Sequence, residues 1–297
     1  MDKLSIKTLN ENISFGINKI KLFLGRNYIK KLEIVNQIKK TFDKVEDSEY
    51  ILEAKKSTSL KINDTEINLR KWKLIEINSS YGLNNDLKLG SKSLVLMYLE
   101  SLFRDIEYNE IISTLRILES DLIGEMNDIL KEDLGTTSVT LEFEDITIKR
   151  IMKQVTARIC HDSLSMNQYD LLYDDIMVFQ LRLLKQICLI NKDFSYLTLI
   201  EIPFLTDKIA EELRNIQSNN VKLIVVTSET KNENISEINE VLFFNKKITD
   251  LQSDESIYND IILNVEKNIS LADMKVIISD FFKNIEQTND FDLEKII

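Results

Sequence analysis

The sequence predicts an α/β fold in which both ends of the chain form one sheet and a long helical segment is inserted between them. Continuous apolar runs, which are typical of parallel strands covered on both faces, occur before residue 25 and again after residue 195. Between these runs, residues 90–192 carry apolar residues at helical spacing. The chain has 297 residues with only 6 Gly and 1 Pro, so short loops and much helix are expected.

The first 80 residues contain several predicted strands and one strand–loop–helix unit. A strand at Ile20–Leu24 leads through Gly25 into a helix predicted at 29–44. The apolar positions of this helix are Leu32, Val35 and Ile38. Further strands are predicted at 50–56, 59–62 and 66–78, followed by a loop at 78–85.

The inserted segment is predicted to be helical at 94–103, 111–130, 146–160 and 167–191, the last of these being the longest helix. The second of these helices has one apolar side, formed by Ile112, Leu115, Leu118, Leu122 and Ile129. A short strand is predicted at 139–143. The sequence Ser165-Met-Asn-Gln168 has the form of a capping box and is predicted to open the last helix.

The C-terminal part returns to alternating strands and helices. Strands are predicted at 196–202, 221–226 and 240–244, a helix at 206–216, and two helices within 254–288. We therefore expect three parts: an α/β domain from 1–90 and 193–250, a helical domain at 91–192, and a C-terminal helical extension at 251–297.

The net charge of −11 is unevenly distributed. Residues 1–75 hold 16 Lys and Arg against 10 Asp and Glu, whereas residues 250–297 hold 4 against 11. Binding to a polyanion then requires that the basic groups gather on one surface. The N-terminus, MDKLSIKTLN, is not typical of a signal peptide, and no apolar run approaches the length of a membrane span. We expect a cytoplasmic protein with no membrane partner.

The loop after Ile20–Leu24 fits the spacing of a phosphate-binding loop, G-x-x-x-x-G-K-[ST], but lacks two of its groups. Gly25 and Lys31 stand at the first glycine and the lysine, while Lys30 replaces the second glycine and Leu32 replaces the hydroxyl that binds Mg²⁺. ATP hydrolysis is therefore not expected. Gly25, Arg26, Lys30 and Lys31 form a degenerate phosphate loop whose cations could attract phosphate, although a plain surface loop is the favoured alternative.

Three carboxylates lie where the predicted strand at 139–143 meets the following helix: Glu142, Glu144 and Asp145. Glu142 and Glu144 are two residues apart and point the same way on a strand. Converging carboxylates of this kind are suited to Ca²⁺. The alternative is that they cap the helix and favour its dipole without a metal.

Four basic residues follow on the helix predicted at 146–160: Lys149, Arg150, Lys153 and Arg158. Lys149 and Lys153 are four residues apart and share a helical face. Such residues can contact a nucleic-acid backbone. A solvated face paired with the preceding acids is the alternative. Glu201 lies where an ATPase keeps its metal-binding acid, but the altered loop favours a structural role for it.

Three stretches resemble the small adaptation protein encoded in type II-A CRISPR loci: 22–27, 141–148 and 197–227. Their order and spacing, rather than a short motif, carry the resemblance, which covers most of 13–245. The chain continues past 250 with acidic helices and so resembles the long form of this family. The resemblance implies a P-loop-ATPase-like α/β head that does not hydrolyse ATP, together with a helical leg.

The same resemblance implies a homotetrameric ring with a basic central hole that takes double-stranded DNA by its ends. It also implies that Ca²⁺ stiffens the ring, and the metal residues carried over onto this chain are Glu142, Glu144 and Asp145. Lys153 lies at a basic family position, whereas Arg150 stands near a position where shorter members have Glu. The implied role is spacer acquisition in antiviral defence, together with the CRISPR integrase subunits and the RNA-guided nuclease.

The function predicted from the sequence is therefore non-enzymatic, sequence-independent binding of double-stranded DNA ends, with Ca²⁺ and without a nucleotide. Two alternatives stay open. One is a nucleotide hydrolase with an atypical phosphate loop. The other is a protein–protein interaction scaffold that makes no DNA contact.

Overall fold

The structure, a computed structural model, describes residues 2–48, 58–78, 82–103, 106–134, 140–142, 148–161, 164–231, 234–235, 237–262 and 269–284. The strands are β1 (Asp2–Lys7), β2 (Asn12–Ile17), β3 (Ile20–Leu24), β4 (Ser59–Ile62), β5 (Thr65–Glu66), β6 (Trp72–Asn78), β7 (Ile159–His161), β8 (Leu164–Met166), β9 (Ser195–Leu205), β10 (Val221–Thr230), β11 (Val241–Phe244) and β12 (Ile248–Asp250). The α-helices are α1 (Tyr28–Phe42), α2 (Gly82–Leu87), α3 (Leu94–Leu102), α4 (Ile106–Leu134), α5 (Ile148–Met152), α6 (Tyr173–Ile190), α7 (Asp207–Asn215), α8 (Asp254–Asp260) and α9 (Leu271–Asn284). Short 3₁₀ turns occupy Gln168–Asp170 and Ile238–Glu240.

A mixed six-stranded sheet has the order β12-β11-β3-β10-β9-β6. Strands β11, β3, β10, β9 and β6 are parallel to their neighbours, and β12 is antiparallel to β11 at the edge. All five residues of β3 are buried. Because successive side chains of a strand point to opposite faces, the sheet is covered on both faces there. The predicted α/β class is confirmed, as are the predicted strands at 20–24, 196–202, 221–226 and 240–244.

A second, antiparallel sheet has the order β2-β1-β4-β5 and is built from the N-terminal residues. Its buried side chains alternate with exposed ones, as on a strand with one covered face. The buried set joins Ile34 and Ile38 of α1 and Phe23 of β3 in one apolar cluster. Helix α1 contacts strands of both sheets and so links them.

A buried ion pair holds the edge of the six-stranded sheet. The Nζ atom of Lys21 lies 2.5 Å from Oδ1 of Asp250 and 3.0 Å from the carbonyl oxygen of Asn239. The second carboxylate oxygen of Asp250 accepts the backbone N–H of Gly16 at 2.9 Å. Burial lowers the pKa of Lys21, and the attraction of Asp250 opposes that shift. The pair thus links β3, β12 and the N-terminal sheet.

The chain divides into two compact units, residues 1–82 with 172–297 and residues 83–171. The first unit contains both large sheets and also α6, α8 and α9. The second contains α3, α4, α5 and the β7–β8 hairpin. The boundaries therefore fall at 82 and 172, whereas the sequence placed the helical part at 91–192.

Several elements predicted between residues 146 and 191 are wrong. The helix expected at 146–160 ends at Met152, and residues 159–161 form a strand. Residues 164–166 form a strand instead of the first part of a capping box, and α6 begins at Tyr173 without a side-chain cap. The longest described helix is α4 with 29 residues, against 18 for α6.

Other helix starts are confirmed at atomic detail. The Thr206 hydroxyl accepts the N–H of Ile209 and begins α7, and the Ser270 hydroxyl accepts the N–H of Asp273 at the start of α9. Cys188 is fully buried in α6, and burial raises the pKa of its thiol to about 12, in line with a small apolar residue.

Across the part of the chain that the structure describes, no helix combines the length and the apolar character that a bilayer crossing needs.

Candidate functional site

The loop between β3 and α1 is short and packed against the end of β11. It consists of Gly25, Arg26 and Asn27. Gly25 has a φ angle of +98°, and a Cβ atom there would lie 2.2 Å from the carbonyl oxygen of Phe244. Only glycine fits this conformation and this close approach. The first glycine of the predicted phosphate loop therefore serves packing against β11.

Asn27 closes the loop by several hydrogen bonds. Its N–H donates to the Phe244 carbonyl at 3.2 Å, and its Nδ2 donates to the Asn245 carbonyl at 2.9 Å. Its Oδ1 accepts the N–H of Lys30 at 3.2 Å, which makes Asn27 the N-cap of α1. The N–H of Lys31 donates to the Asn27 carbonyl. The backbone N–H groups that a phosphate loop presents to its ligand are here used within the loop and helix.

Lys31 points into the protein. It is 1% exposed, and its Nζ donates to the carbonyl oxygen of Thr227 at 2.9 Å. The ammonium also lies 5.2 Å from the ring centroid of Tyr28 and 5.9 Å from that of Phe244. Burial lowers the pKa of Lys31 to about 8. This lysine fixes α1 to the end of β10 and does not face solvent.

The burial of Lys31 corrects the predicted inward face of α1. Val35 and Ile38 are buried as expected, but Leu32 is 55% exposed. Leu32 stands at the position of the metal-binding hydroxyl, so an exposed apolar side chain occupies that place. Nothing in the sequence indicated this exchange, because a lysine at a helix surface and a leucine in its core are the usual expectation.

Lys30 is held by a neighbouring carboxylate. Its Nζ lies 3.1 Å from Oε2 of Glu11, and both side chains are partly exposed. A cavity of about 450 Å³ beside it is lined by Asn10, Glu11, Asn27, Ile29, Lys30 and Glu33. Two carboxylates face one lysine there. This balance of charge does not favour a phosphate group.

Glu201 binds a lysine. Lys39 of α1 lies 2.5 Å from Oε1 of Glu201 and 3.2 Å from Oε2 of Glu76, which is on the adjacent strand β6. Burial opposes the charge of Lys39, but the hydrogen bonds and charges of the two glutamates raise its pKa above the ordinary value. Glu201 therefore has the structural role that was expected: together with Glu76, it pairs with Lys39 and so attaches α1 to the sheet.

The four basic residues predicted on one helix are divided among different elements. Lys149 and Arg150 lie in the five-residue helix α5, Lys153 directly follows it, and Arg158 precedes β7. Arg150 is half-buried, while Lys153 and Arg158 are exposed; the side chain of Lys149 is not described. The shared helical face proposed for Lys149 and Lys153 is thus not formed, but two exposed cations remain in this segment.

The predicted metal site lies mostly outside the described residues. Glu142 is described and exposed, whereas Glu144 and Asp145 fall in the undescribed range 143–147. Among the residues that the structure does describe, no three or more His, Cys, Asp or Glu side chains are grouped in a way that could hold a metal ion. The Ca²⁺ site stays a prediction.

The fold defines the chain as an α/β protein with a mixed sheet. In its strand–loop–helix unit, β3 to α1, the polar groups described above are hydrogen-bonded within the protein. Among solved structures, the chain is similar to Stu0660 of Streptococcus thermophilus, with a TM-score of 0.69 and 12% sequence identity. The match covers 95% of this chain and 86% of that one. At this identity the likeness establishes a shared fold. No known family model matches the sequence, and no curated protein matches it.

Proposed function

We propose that this protein binds double-stranded DNA by its ends, without catalysis, as a homotetrameric ring that acts in CRISPR spacer acquisition. The observation that carries the proposal is the fold, which is similar over 95% of the chain to Stu0660, a CRISPR-associated protein. The three stretches that resemble the type II-A adaptation family support the same function. The proposed partners are DNA, further copies of the chain, the integrase subunits and the RNA-guided nuclease.

The closed loop supports a role without nucleotide turnover. In the proposed history of the fold, the six-stranded sheet is a P-loop-ATPase-like scaffold whose phosphate site has been lost. Three observations fit that loss. The Lys31 ammonium donates to the Thr227 carbonyl, and Leu32 stands where the Mg²⁺-binding hydroxyl would be. The Asn27 side chain accepts the backbone N–H of Lys30. Nucleotide turnover by the wild-type protein would favour the hydrolase alternative.

DNA contact in this proposal is electrostatic. Lys149, Arg150, Lys153 and Arg158 contact phosphates, and Lys153 and Arg158 are exposed and available for this. Phosphate contacts carry no sequence information, and each one releases counterions. Enclosure reconciles a net charge of −11 with DNA binding, because the ring gathers its basic groups around the hole. Ca²⁺ at Glu142, Glu144 and Asp145 neutralises acids and stiffens the ring.

The test is the binding of a short linear duplex measured against salt. We expect equal affinity for a duplex of scrambled sequence and a steep fall in affinity as salt rises. The double variant Lys153→Gln/Arg158→Gln should lower the slope of log affinity against log salt by about two for each copy that contacts DNA. Chelation of Ca²⁺ should weaken binding.

The matched control is Lys208→Gln/Lys231→Gln, which removes two lysines that are 63% and 59% exposed in the other unit. This control should bind DNA like the wild type. An equal loss in both double variants means that only total charge matters, and the assigned residues are then wrong. Absence of any binding to linear duplexes at low salt would favour the interaction-scaffold alternative.

A further inference from the structure

The open sides of two edge strands, β2 and β12, border one cavity. Among the described strands, β2 pairs only with β1, and β12 pairs only with β11. A cavity of about 280 Å³ is lined by Asn12 and Ser14 of β2 and by Ile248 and Asp250 of β12. We call it the edge cavity. An open strand edge presents unpaired peptide groups with which another chain can pair.

The register of the β1–β2 pair directs the backbone groups of Asn12 and Ser14 away from β1. In an antiparallel pair, every second residue exchanges hydrogen bonds with the partner strand, and the residues between direct their N–H and C=O groups to the other side. The N–H of Thr8 donates to the Glu11 carbonyl at 2.9 Å, so the bonded positions of β2 are the odd-numbered ones that begin at Ile13. The peptide groups of Asn12 and Ser14 therefore lie on the open side of β2.

A hydrogen bond from β12 confirms this orientation. The N–H of Gly16, two residues after Ser14, donates to the Asp250 carboxylate at 2.9 Å across the gap between the two strands. Within the described part of the chain, no backbone group pairs with Asn12 or Ser14 on the same side. Asp250 thus spans the gap at Gly16, and the edge cavity lies beside the two unpaired residues.

Strand β12 presents a peptide group of its own to the edge cavity. The N–H of Asn245 donates to the Lys247 carbonyl at 3.0 Å, and the N–H of Leu251 donates to the Val241 carbonyl at 3.1 Å. The bonded positions of β12 are thus the odd-numbered ones, and the N–H and C=O groups of Ile248 face away from β11. Peptide donors and acceptors therefore border the cavity on two sides.

The charges around the edge cavity are balanced. The Nζ atom of Lys30 lies 3.1 Å from the Glu11 carboxylate, and that of Lys247 lies 3.7 Å from the Asp260 carboxylate. The carboxylate of Asp250 is paired with a buried lysine. A site without net positive charge does not favour the phosphate backbone of a nucleic acid. Rows of peptide donors and acceptors instead match the main chain of an extended polypeptide, which repeats the same groups.

We propose that an extended segment of a partner protein binds in the edge cavity as an added strand on the open side of β2. Its main chain exchanges hydrogen bonds with Asn12 and Ser14, and its other side faces Ile248. In strand addition of this kind, main-chain hydrogen bonds supply the affinity. The inference goes beyond the proposed function and uses none of the residues assigned to DNA contact.

The dimensions of the edge cavity limit the segment. A strand advances about 3.3 Å per residue, so pairing with Asn12 and Ser14 involves about three residues of the partner. The cavity has room for about nine water molecules of about 30 Å³ each. This space suits a main chain with small side chains. Because the surrounding charges are already paired, these side chains are uncharged.

The experiment selects a phage-displayed library of random dodecapeptides on the full wild-type chain and measures the affinity of the enriched peptides by fluorescence anisotropy. The variant Ser14→Pro removes the outward N–H and keeps the bonds to β1, because proline is tolerated on the open side of an edge strand. Ser14→Ala, the matched control, keeps this N–H and loses only the hydroxyl. We expect the affinity to fall at least about tenfold in Ser14→Pro and to stay within about twofold in Ser14→Ala. Asn12→Pro repeats the test at the second open position, and circular dichroism checks that each variant folds.

Amide hydrogen exchange tests the same register without a substitution. In the free protein, the N–H groups of Asn12 and Ser14 should exchange fast, whereas those of Ile13 and Phe15, which are bonded to β1, should exchange slowly. An enriched peptide should slow the exchange of Asn12, Ser14 and Ile248 and leave that of Ile13 unchanged.

Three results would overturn the inference. The first is a selection in which no peptide is enriched, and the second is an enriched peptide that binds Ser14→Pro as tightly as the wild type. The third is slow exchange of Asn12 and Ser14 in the free protein, which would mean that this chain or a second copy of it already occupies the edge. A wild type that binds the selected peptides but no linear duplex leaves the peptide site standing and makes the proposed function wrong.

Discussion

Replacement of Lys31 by Met tests whether this lysine is held in the core as a charged group. The substitution keeps the length of the side chain and removes the ammonium. In the native state that ammonium is buried, and its hydrogen bond goes to the neutral carbonyl of Thr227. Within the described part of the chain, no carboxylate is paired with it. The folded protein therefore holds a positive charge that the unfolded chain would expose to water.

The pKa gives the size and sign of the effect. Burial lowers the pKa of Lys31 from 10.5 to about 8. A shift of this size corresponds to about 3 kcal/mol of differential stabilisation. Because the folded pKa is the lower one, the penalty is fully present below pH 8 and disappears above about pH 10.5, where both states are neutral. The wild type thus gains stability relative to the Met variant as the pH rises.

The assay is urea unfolding of both proteins at several pH values from 7 to 10. The free energy of unfolding of Lys31→Met minus that of the wild type should fall by about 2.5 kcal/mol over this range. Loss of the Thr227 hydrogen bond lowers the stability of the variant by about 1 kcal/mol at every pH, so the slope is diagnostic and the offset is not. Lys208→Met, at an exposed site, should show no such slope. A flat difference for Lys31→Met would refute the reasoning.

Other substitutions test the elements around the loop. Asp250→Asn breaks the buried pair with Lys21 and should lower the free energy of unfolding by about 3–5 kcal/mol, whereas Asp64→Asn, in an exposed pair, should change it by less than about 1 kcal/mol in the same urea titration. Gly25→Ala should reduce the thermal midpoint strongly, because its Cβ overlaps the Phe244 carbonyl. Gly124→Ala, in open space within α4, should raise stability by up to about 1 kcal/mol. A tolerated Gly25→Ala would show that the loop is not packed as described.

The parts of the fold that the sequence predicted are those with strong local signals. β3, β9, β10 and β11 are continuous apolar runs, and α7 begins at a Thr206 cap. The second unit was predicted less well. Residues 153–161 carry helical spacing but form a turn and a strand that pairs with β8, and pairing of this kind is set by tertiary contacts rather than by local sequence.

The candidate site shows the same division. The missing glycine and hydroxyl were visible at Lys30 and Leu32, so the departure from the phosphate-loop pattern was predictable. The burial of the Lys31 side chain was not predictable, because it depends on the carbonyl of Thr227, which is nearly 200 residues away in sequence. Lys21 was a missed signal: a lysine inside the apolar run 20–24 indicates a buried partner, and that partner is Asp250.

Competition between two forms of one plasmid tests the central claim of enclosure most directly. Equal masses of the linearised and the covalently closed circular plasmid are offered to the protein in the presence of Ca²⁺ at low salt. A ring that threads onto free ends should bind the linear form and leave the closed circle free. Equal binding to both forms would contradict enclosure.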